Sequence, residues 1–420
     1  MLAPTPASPE SAGMSAAALD RIEGHLKQRY IDAGRFPGTQ LMVYRRGKIV
    51  HSRSQGFADV ERKAPVKDDT IFRIYSMTKP ITSVAFMMLV EEGRVALDEP
   101  VHKYIPEWKN LGVFVAGSSP AYLTKPPSRP MQIVDLLRHT SGLTYGFQQR
   151  SNVDAGYREK KIAEAGTLQS MIDDLARMPL EFSPGEAWNY SVSTDVIGYL
   201  IGKISGKPLD QFLKERIFNP LGMNDTDFFV PADKAHRFAA CYSADPQGVT
   251  FHATERKGTL TLQDDPTRSS FLSPPSFISG GGGLCSTSAD YLTFCRALLN
   301  GGELGGVRLI GPKTLALMTS NHLPGGRDLP AMSRSLFSEA TYNGMGFGLG
   351  FSVTMNPAQT LIPGSAGEYS WGGAATTSFW IDPAEELIAI FMTQVLPSSA
   401  YPIRRELRTM VYSAITDSNL

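Results

Sequence analysis

Segments with strand character lie at both ends of the chain, and mostly helical sequence separates them. Near the start, "GTQLMVYRRGKIVHSRSQGF" predicts two strands around a turn at Arg46-Gly47-Lys48. Near the end, "GFGLGFSVT", "ATTSFWIDP" and "ELIAIFMTQ" are short and rich in aromatic and branched residues. The pattern predicts one sheet assembled from both ends of the chain, an α+β arrangement with a mostly helical insertion.

The sequence from Ser76 to about Asn300 is predicted to be mostly helical with long loops. Ser193 is expected to cap one of the helices and Gly206 to end it. Residues 115–130 and much of 220–282 are predicted to be loops, because their composition favours turns and irregular structure. Apolar residues at helical spacing predict helices over 76–93, 131–138, 167–177, 193–205, 208–217 and 288–299, with a last helix from about 401.

The charge balance excludes several classes of partner. Lysine plus arginine equals aspartate plus glutamate at 41 each, so no net field attracts nucleic acid or an acidic membrane surface. The chain contains no run of about 18 apolar residues, which argues against a membrane-spanning helix. We therefore expect a neutral or small molecule as the partner.

Cysteine and histidine usage gives no support to metal chemistry. Cys241, Cys285 and Cys295 have no metal-ligand spacing, and an odd number of cysteines fits a reduced compartment. The seven histidines form no H-E-x-x-H pair. The start, "MLAPTPASPESAG", has neither a basic region nor an apolar core and so predicts no secretory signal. We expect a cytoplasmic protein with no metal and no cofactor.

A candidate nucleophile lies in "RIYSMTKPITS", where Ser76 precedes Lys79 by three residues. On a helix these two side chains share a face, so the amine can reach the hydroxyl. A serine hydroxyl needs such a base to attack near neutral pH. At a helix start its backbone N–H is also among the unpaired donors that can stabilise an oxyanion. No other serine in the chain stands three residues before a lysine.

Two further segments contain residues that suit the same chemistry. "GEAWNYSVSTDVIGYL" places Tyr190 in a short polar turn before a predicted helix. "SAGEYSWGGAATTSFWID" places Trp371-Gly372-Gly373 at the entry to a strand, where glycines let a ligand lie against the backbone. Each segment alone is also compatible with simple packing. Their occurrence together with the serine and lysine, in this order, favours a catalytic site.

In this order, the three segments resemble the serine β-lactamase and penicillin-binding protein superfamily, whose marks are S-x-x-K, a Tyr or Ser motif, and K-T-G. The resemblance is strongest to its esterase branch, the family VIII carboxylesterases, which carry W-G-G or a similar triplet where class C β-lactamases carry K-T-G. It extends over nearly the whole chain and includes "LLRHTSGL" and "GGGGLCSTSADY". It implies an antiparallel sheet domain of residues 1–75 and 280–420 and a mostly helical domain of residues 76–279, with the active site in the cleft between them.

Carried over residue by residue, the resemblance makes Ser76 the acylated nucleophile and Lys79 with Tyr190 its general-base pair. The backbone N–H groups of Ser76 and Ala374 would bind the oxyanion. Four further residues are expected at the substrate: Trp371, Gly372, Gly373 and Val192.

Two departures from the β-lactamase pattern bear on the substrate. Val192 stands where the tyrosine motif usually has an asparagine, and Trp371 replaces the lysine that attracts a lactam carboxylate. Both changes replace a polar anchor with apolar surface, against which an unpaired carboxylate is costly to desolvate. The resemblance therefore implies a carboxylic ester hydrolase for short- to medium-chain acyl esters.

Three alternatives stay open at this point: acyl transfer to a small-molecule alcohol, weak β-lactamase or D-amino-acid peptidase activity, and a catalytically silent scaffold. The chain contains no G-x-S-x-G string, so the nucleophile elbow of α/β-hydrolases is not available. His139 is expected to stabilise its own turn. The natural substrate, the protonation states of Lys79 and Tyr190, and the oligomeric state, monomer or small homo-oligomer, are not determined by the sequence.

Overall fold

One antiparallel sheet of eight strands lies at the centre of the fold. The computed structural model describes residues 6–244, 260–334 and 342–419. In chain order its strands are β1 Gly38–Arg45, β2 Lys48–Asp59, β3 Ala64–Pro65, β4 Met345–Phe347, β5 Ser352–Thr354, β6 Tyr369–Gly372, β7 Ser378–Asp382 and β8 Leu387–Met392. Across the sheet the strand order is β4-β5-β6-β7-β8-β1-β2-β3, which confirms a sheet built from both ends of the chain.

The two ends of the chain meet where β8 pairs with β1. Every residue of both strands is buried, which explains why "LIAIFM" is continuously apolar rather than alternating. Successive side chains point to opposite faces, so the two strands contribute to two separate cores. Leu41 and Phe391 pack into one core with the first and last helices, whereas Met42 and Ile390 pack into the other.

Helices cover both faces of the sheet and fill the central part of the chain. Within the described residues, none is long and apolar enough to cross a membrane. They are α1 Ala16–Leu26, α2 Thr78–Glu91, α3 Ile133–Leu137, α4 Asn152–Glu159, α5 Leu168–Leu175, α6 Ser193–Ser205, α7 Leu209–Leu213, α8 Asn219–Leu221, α9 Ser288–Leu299, α10 Pro312–Met318, α11 Leu329–Met332, α12 Pro357–Thr360 and α13 Ile403–Ser413.

Helices α6 and α9 have the bounds predicted from the sequence. Gly206 ends α6 in the left-handed region with φ 78°, as a C-terminal glycine is expected to do. The predicted capping role of Ser193 is wrong. Val192 occupies the cap position without a side-chain hydrogen bond, and Ser193 is the first helical residue.

The prediction of a loop over residues 115–130 is also wrong. Strands Val113–Ser118 and Ala121–Lys125 form an antiparallel hairpin there. The turn-forming residues that suggested a loop are concentrated at its tip and in the segment that follows it. In the other predicted loop, 220–282, strand Cys241–Ser243 pairs with Thr261–Asp264, and residues 245–259 lie outside the described part of the chain.

The predicted division into two domains stays a prediction. All eight strands of the sheet fall within residues 1–75 and 280–420, and helices α2 to α8 fall between them. Helix α2 is buried over most of its length, because it packs against α6 and the sheet lies nearby. This central position accounts for its almost wholly apolar sequence, which lacks a strong polar face.

Arg45, the last residue of β1, links the two ends of the chain. Its side chain is fully buried and forms an ion pair with Glu385. Its guanidinium also donates to the carbonyls of Ala12, at 2.8 Å, and Asp417, at 2.8 Å. One cation therefore satisfies backbone groups from both termini and from the turn between β7 and β8.

We expect Arg45→Met to lower the free energy of unfolding by about 3–5 kcal/mol, because the substitution leaves the Glu385 carboxylate buried without its cation. Urea unfolding followed by circular dichroism measures the change. Arg46→Met is the matched control. Arg46 is more exposed and pairs with the exposed Asp417 at 2.7 Å, so its loss should cost at most about 1 kcal/mol. Equal effects of the two substitutions would contradict the prediction.

Candidate active site

A cavity of about 810 Å³ brings the predicted site residues together. Its wall includes Ser76, Tyr190, Trp371 and Ala374. The wall is mainly apolar, with aromatic side chains on several sides and a few polar groups that converge near Ser76. A concave site of this size and character is typical of small-molecule binding. We refer to it as the central cavity.

Ser76 lies in a tight turn between a short strand and α2. Strand Phe72–Arg73 pairs with Cys285–Ser286, and a 3₁₀ turn over Tyr75–Met77 then leads into the helix. Tyr75 has φ 43°, an uncommon conformation for a residue other than glycine. Outliers of this kind cluster at functional sites, where the surrounding structure holds them in place. The turn leaves Ser76 half-buried at the cavity wall.

Lys79 is enclosed by three hydrogen-bond acceptors. Its Nζ lies 3.3 Å from Ser76 Oγ, 3.1 Å from the Tyr145 hydroxyl and 2.7 Å from the Gly281 carbonyl oxygen. The side chain is only 2% exposed. An ammonium has three N–H donors, so this set of acceptors matches its hydrogen-bonding capacity. The same position lets the amine exchange a proton with the Ser76 hydroxyl.

Tyr190 lies on the other side of Lys79. The lysine Nζ is 4.5 Å from the centroid of the Tyr190 ring, within the range of a cation–π contact. Trp371 Nε1 donates a hydrogen bond to the Tyr190 hydroxyl at 3.4 Å, and Gln148 Nε2 donates one to the Tyr190 backbone carbonyl. The tryptophan of the W-G-G triplet therefore contacts the phenol as well as lining the cavity. The structure brings the three predicted catalytic side chains into one cluster.

Tyr145 is a residue of this cluster that the sequence analysis missed. Its hydroxyl accepts the hydrogen bond from Lys79, and its ring stacks on Phe147 at 4.7 Å. Burial raises the pKa of the Tyr145 phenol well above its usual value, and the neighbouring Asp195 carboxylate adds to the shift. The phenol consequently stays protonated in the working range of pH. It lies in "GLTYGF", a loop without periodicity, so only its place in the fold identifies it.

His139 packs behind Tyr190 with 4.9 Å between ring centroids. Burial, with a contribution from the charge of Lys79, lowers the pKa of His139 well below its usual value. The ring is therefore neutral at pH 7, and its Nδ1 is hydrogen-bonded with Ser191 Oγ at 3.2 Å. These contacts are structural, but they join His139 to the Tyr190–Ser191 segment, so the expectation that it stabilises its own turn stays a prediction.

The W-G-G triplet ends β6 close to the Ser76 turn. A Cβ on Gly373 would lie 2.4 Å from the Ile74 carbonyl oxygen, so only glycine permits this approach. Arg404 Nη2 donates to the carbonyls of Gly373, at 2.7 Å, and Thr377, at 3.0 Å, which fixes the turn after the strand. Ala374 follows directly and lines the central cavity with Ser76. Gly372 and Gly373 line it as well.

Val192 is placed differently from the expectation. It is fully buried in the core beside α6 and is not among the described residues that line the central cavity. The residue packs in the hydrophobic core that contains α2 and α6, and it makes no contact with the cavity. The 270–283 segment does line the cavity, as do Phe228 and Tyr342.

The described residues hold no cluster of three or more His, Cys, Asp or Glu side chains arranged to bind a metal ion. At Ser76 the structure brings together a hydroxyl, an amine and two phenols. This set matches nucleophilic catalysis with general acid–base assistance.

Comparison with known proteins gives consistent similarities over nearly the whole chain. Residues 19–411 match the Beta-lactamase family. The chain is 31% identical to Esterase EstB of Burkholderia gladioli over 427 residues, which cover 98% of each protein. It is 36% identical to an uncharacterized protein of Mycobacterium tuberculosis over 369 residues, 87% of this chain and 88% of that protein. The solved structure of EstCE1, described as a hydrolase with promiscuous acyltransferase activity, is 25% identical with a TM-score of 0.77, covering 94% of this chain and 98% of the other.

Proposed function

The chain belongs to the Beta-lactamase family, within which it is a family VIII esterase and a carboxylic ester hydrolase, and we propose that it works through an acyl-enzyme on Ser76. The observation that carries this proposal is the contact of 3.3 Å between Lys79 Nζ and Ser76 Oγ at the wall of the central cavity. A serine hydroxyl with a buried amine in reach has the base that its activation requires.

In the acylation step, Ser76 Oγ attacks the ester carbonyl carbon as its proton passes to the Lys79–Tyr190 pair. The carbonyl oxygen becomes an oxyanion, which we expect the backbone N–H groups of Ser76 and Ala374 to bind. The pair then gives the proton to the leaving alkoxide as the bond between the carbonyl carbon and the alcohol oxygen breaks. The alcohol departs and the acyl group remains on Ser76.

In the deacylation step, the same pair takes a proton from water, whose oxygen attacks the acyl carbon. Collapse of the second tetrahedral intermediate breaks the bond to Ser76 Oγ and returns the proton to the serine. Lys79 and Tyr190 act as one unit in both steps, because the amine lies 4.5 Å from the centroid of the phenol ring. Tyr145 holds the lysine from the opposite side and keeps its proton throughout.

The cavity wall supports neutral esters as substrates. Trp371 occupies the place of a cationic anchor, and aromatic rings surround the general-base pair. Three arginines reach the cavity: Arg408 is paired with Glu368 at 2.6 Å, Arg404 donates to backbone carbonyls, and Arg405 lines the wall as well. At the first position of the triplet, a substrate carboxylate would meet the Trp371 ring instead of a lysine ammonium, so that position favours a neutral group.

We expect kcat/KM for p-nitrophenyl butyrate to exceed that for a chromogenic cephalosporin by roughly a hundredfold, equivalent to about 2.8 kcal/mol. Steady-state kinetics on purified protein measures both values. Trp371→Lys is the informative variant, because it restores an ammonium to the triplet while removing a contact to Tyr190. Total activity should fall, and the ratio should shift toward the cephalosporin. A wild-type ratio near one would contradict the proposed preference for short- to medium-chain neutral esters.

Acyl transfer to an alcohol is the second candidate function, and the description of EstCE1 as a hydrolase with promiscuous acyltransferase activity favours it. The acyl-enzyme on Ser76 is common to both reactions, which differ only in whether water or an alcohol attacks it. Product analysis with a small alcohol present separates them. Free acid as the main product supports hydrolysis, whereas a new ester as the main product assigns the chain to transfer.

A further inference from the structure

Asp195 is a buried carboxylate that the mechanism above does not use. It lies beside the proposed general-base pair of Lys79 and Tyr190. It lies in the first turn of α6, is 1% exposed and contributes to the wall of the central cavity. Its Oδ1 accepts hydrogen bonds from Ser279 Oγ at 2.6 Å and from the Gly281 N–H at 2.9 Å. A buried carboxylate is costly unless its surroundings require it, so its contacts indicate its role.

The contacts of Asp195 lead directly to Lys79. Gly281, whose N–H the carboxylate accepts, offers its carbonyl oxygen to Lys79 Nζ at 2.7 Å. A Cβ on Gly281 would lie 2.5 Å from Asp195 Oδ2, so the carboxylate and this backbone are packed without room for a side chain. Gly280 is fixed from the other side, where its carbonyl accepts from Thr82 Oγ1 at 2.8 Å. The glycine-rich segment is therefore held between α2 and α6.

We infer that Asp195 is a positioning residue for the proposed esterase reaction: it holds the Gly281 carbonyl against Lys79 and supplies the negative charge that opposes the lysine ammonium. The inference rests on the proposed role of Lys79 in the acyl-enzyme mechanism. It explains the glycine at position 281, since a side chain there would collide with the Asp195 carboxylate. It also assigns a purpose to a buried acid that touches no reacting atom.

The electrostatics of the cluster agree with this geometry. Burial raises the pKa of the Asp195 carboxyl, and the charge of Lys79 and the hydrogen bonds from Ser279 and Gly281 oppose that shift. Tyr145, Tyr190 and His139 are the other titratable groups packed around the lysine. Of these, Tyr145 stays protonated and His139 stays neutral for the reasons given above. Asp195 is therefore the carboxylate in the cluster whose charge can act on the amine.

The consequence for pH dependence has a definite sign. A neighbouring carboxylate favours the charged form of an amine, so its removal lets the amine lose its proton at lower pH. The neutral amine is the form that can accept the Ser76 proton. We therefore expect Asp195→Asn to move the acidic limb of the pH profile of kcat/KM toward lower pH by about one unit. The asparagine keeps the size of the side chain and an acceptor oxygen, so a merely structural role predicts no movement of the limb.

The experiment measures kcat/KM for p-nitrophenyl butyrate from pH 5 to 9 in wild type, Asp195→Asn and Asp195→Glu. The glutamate variant keeps the negative charge, so the acidic limb of its pH profile should stay in place. Asp290→Asn is the matched control. Burial also raises the pKa of the Asp290 carboxyl, to about 6. Asp290 contacts Thr226, however, and does not line the central cavity. Its substitution should leave the limb unchanged.

A limb that stays in place in Asp195→Asn overturns the inference, whatever happens to kcat. The same applies to a limb that moves as far in Asp290→Asn. If the asparagine variant does not fold, Asp195→Ala removes the same charge and provides the same test. Absence of esterase activity in the wild-type protein would instead refute the proposed function, so the two failures are distinguishable.

Discussion

Replacement of Ser76 by alanine is expected to lower kcat for p-nitrophenyl butyrate by at least about 10⁴-fold. The substitution removes the Oγ atom that carries the acyl group in the acyl-enzyme. It leaves the cavity, the general-base pair and the proposed oxyanion donors in place. Loss of the nucleophile alone costs about as much as loss of a whole catalytic unit, and the remaining activity reflects binding and electrostatic stabilisation. Initial rates at saturating substrate give the comparison with wild type.

Covalent labelling provides a second readout that does not depend on turnover. A fluorophosphonate should add one label to wild type, on the peptide that contains Ser76, and none to the alanine variant. Ser141→Ala is the matched control, because Ser141 is a fully buried serine hydrogen-bonded with Ser193 at 2.8 Å. It should keep near-normal kcat and the label. Near-normal hydrolysis by Ser76→Ala, or labelling at another serine, would remove Ser76 from the nucleophile role.

The parts of the fold that the sequence predicted well are those with a strong local signal. Helix α6 has apolar residues at regular helical spacing and a glycine that ends it in the left-handed region, so both bounds follow from the sequence. The strands Gly38–Arg45 and Leu387–Met392 are identifiable by their branched and aromatic residues. Both strands are buried, so their backbone N–H and C=O groups need hydrogen-bond partners, which the pairing of the two strands supplies.

Prediction failed where the hydrophobic pattern of the sequence carries too little information about the structure. Helix α7 ends at Leu213 and continues as a π-helical turn over Lys214–Phe218, where the pattern predicted one uniform helix. The hairpin Val113–Lys125 has mostly exposed residues, so hydrophobic alternation could not identify its strands. Neither feature changes the hydrophobic pattern enough for sequence reasoning to detect it.

For the site, sequence reasoning found the residues that motifs mark and missed those that only the fold brings close. Ser76, Lys79 and Tyr190 stand in segments with recognisable spacing. Tyr145 comes from an irregular loop, and Asp195 comes from the first turn of α6, where no motif marks it. Val192 was expected at the substrate because of its place in the motif, yet its side chain turns into the core. The direction of a side chain depends on packing, which a motif does not encode.

Lys79→Met is expected to lower kcat by about 10³–10⁴-fold, the loss associated with removing a general base. Methionine matches the length of lysine and suits a site that is 2% exposed, so the protein should remain folded. The change leaves the Gly281 carbonyl without its donor, which costs about 1–3 kcal/mol of stability. Thermal unfolding checks the fold, and rapid-mixing kinetics of p-nitrophenol release shows whether acylation has become the slow step.

The double variant Ser76→Ala/Lys79→Met tests whether the two residues act as a unit. Groups that act together are strongly non-additive, so the double variant should be no slower than Ser76→Ala alone. Tyr145→Phe is the control for the hydrogen bond at 3.1 Å on the other side of the lysine, and it should cost far less than Lys79→Met because that phenol carries no proton in the reaction. If Lys79→Met acylates at the wild-type rate, the proton from Ser76 must pass to Tyr190 alone, and the lysine would serve only to hold the phenol in place.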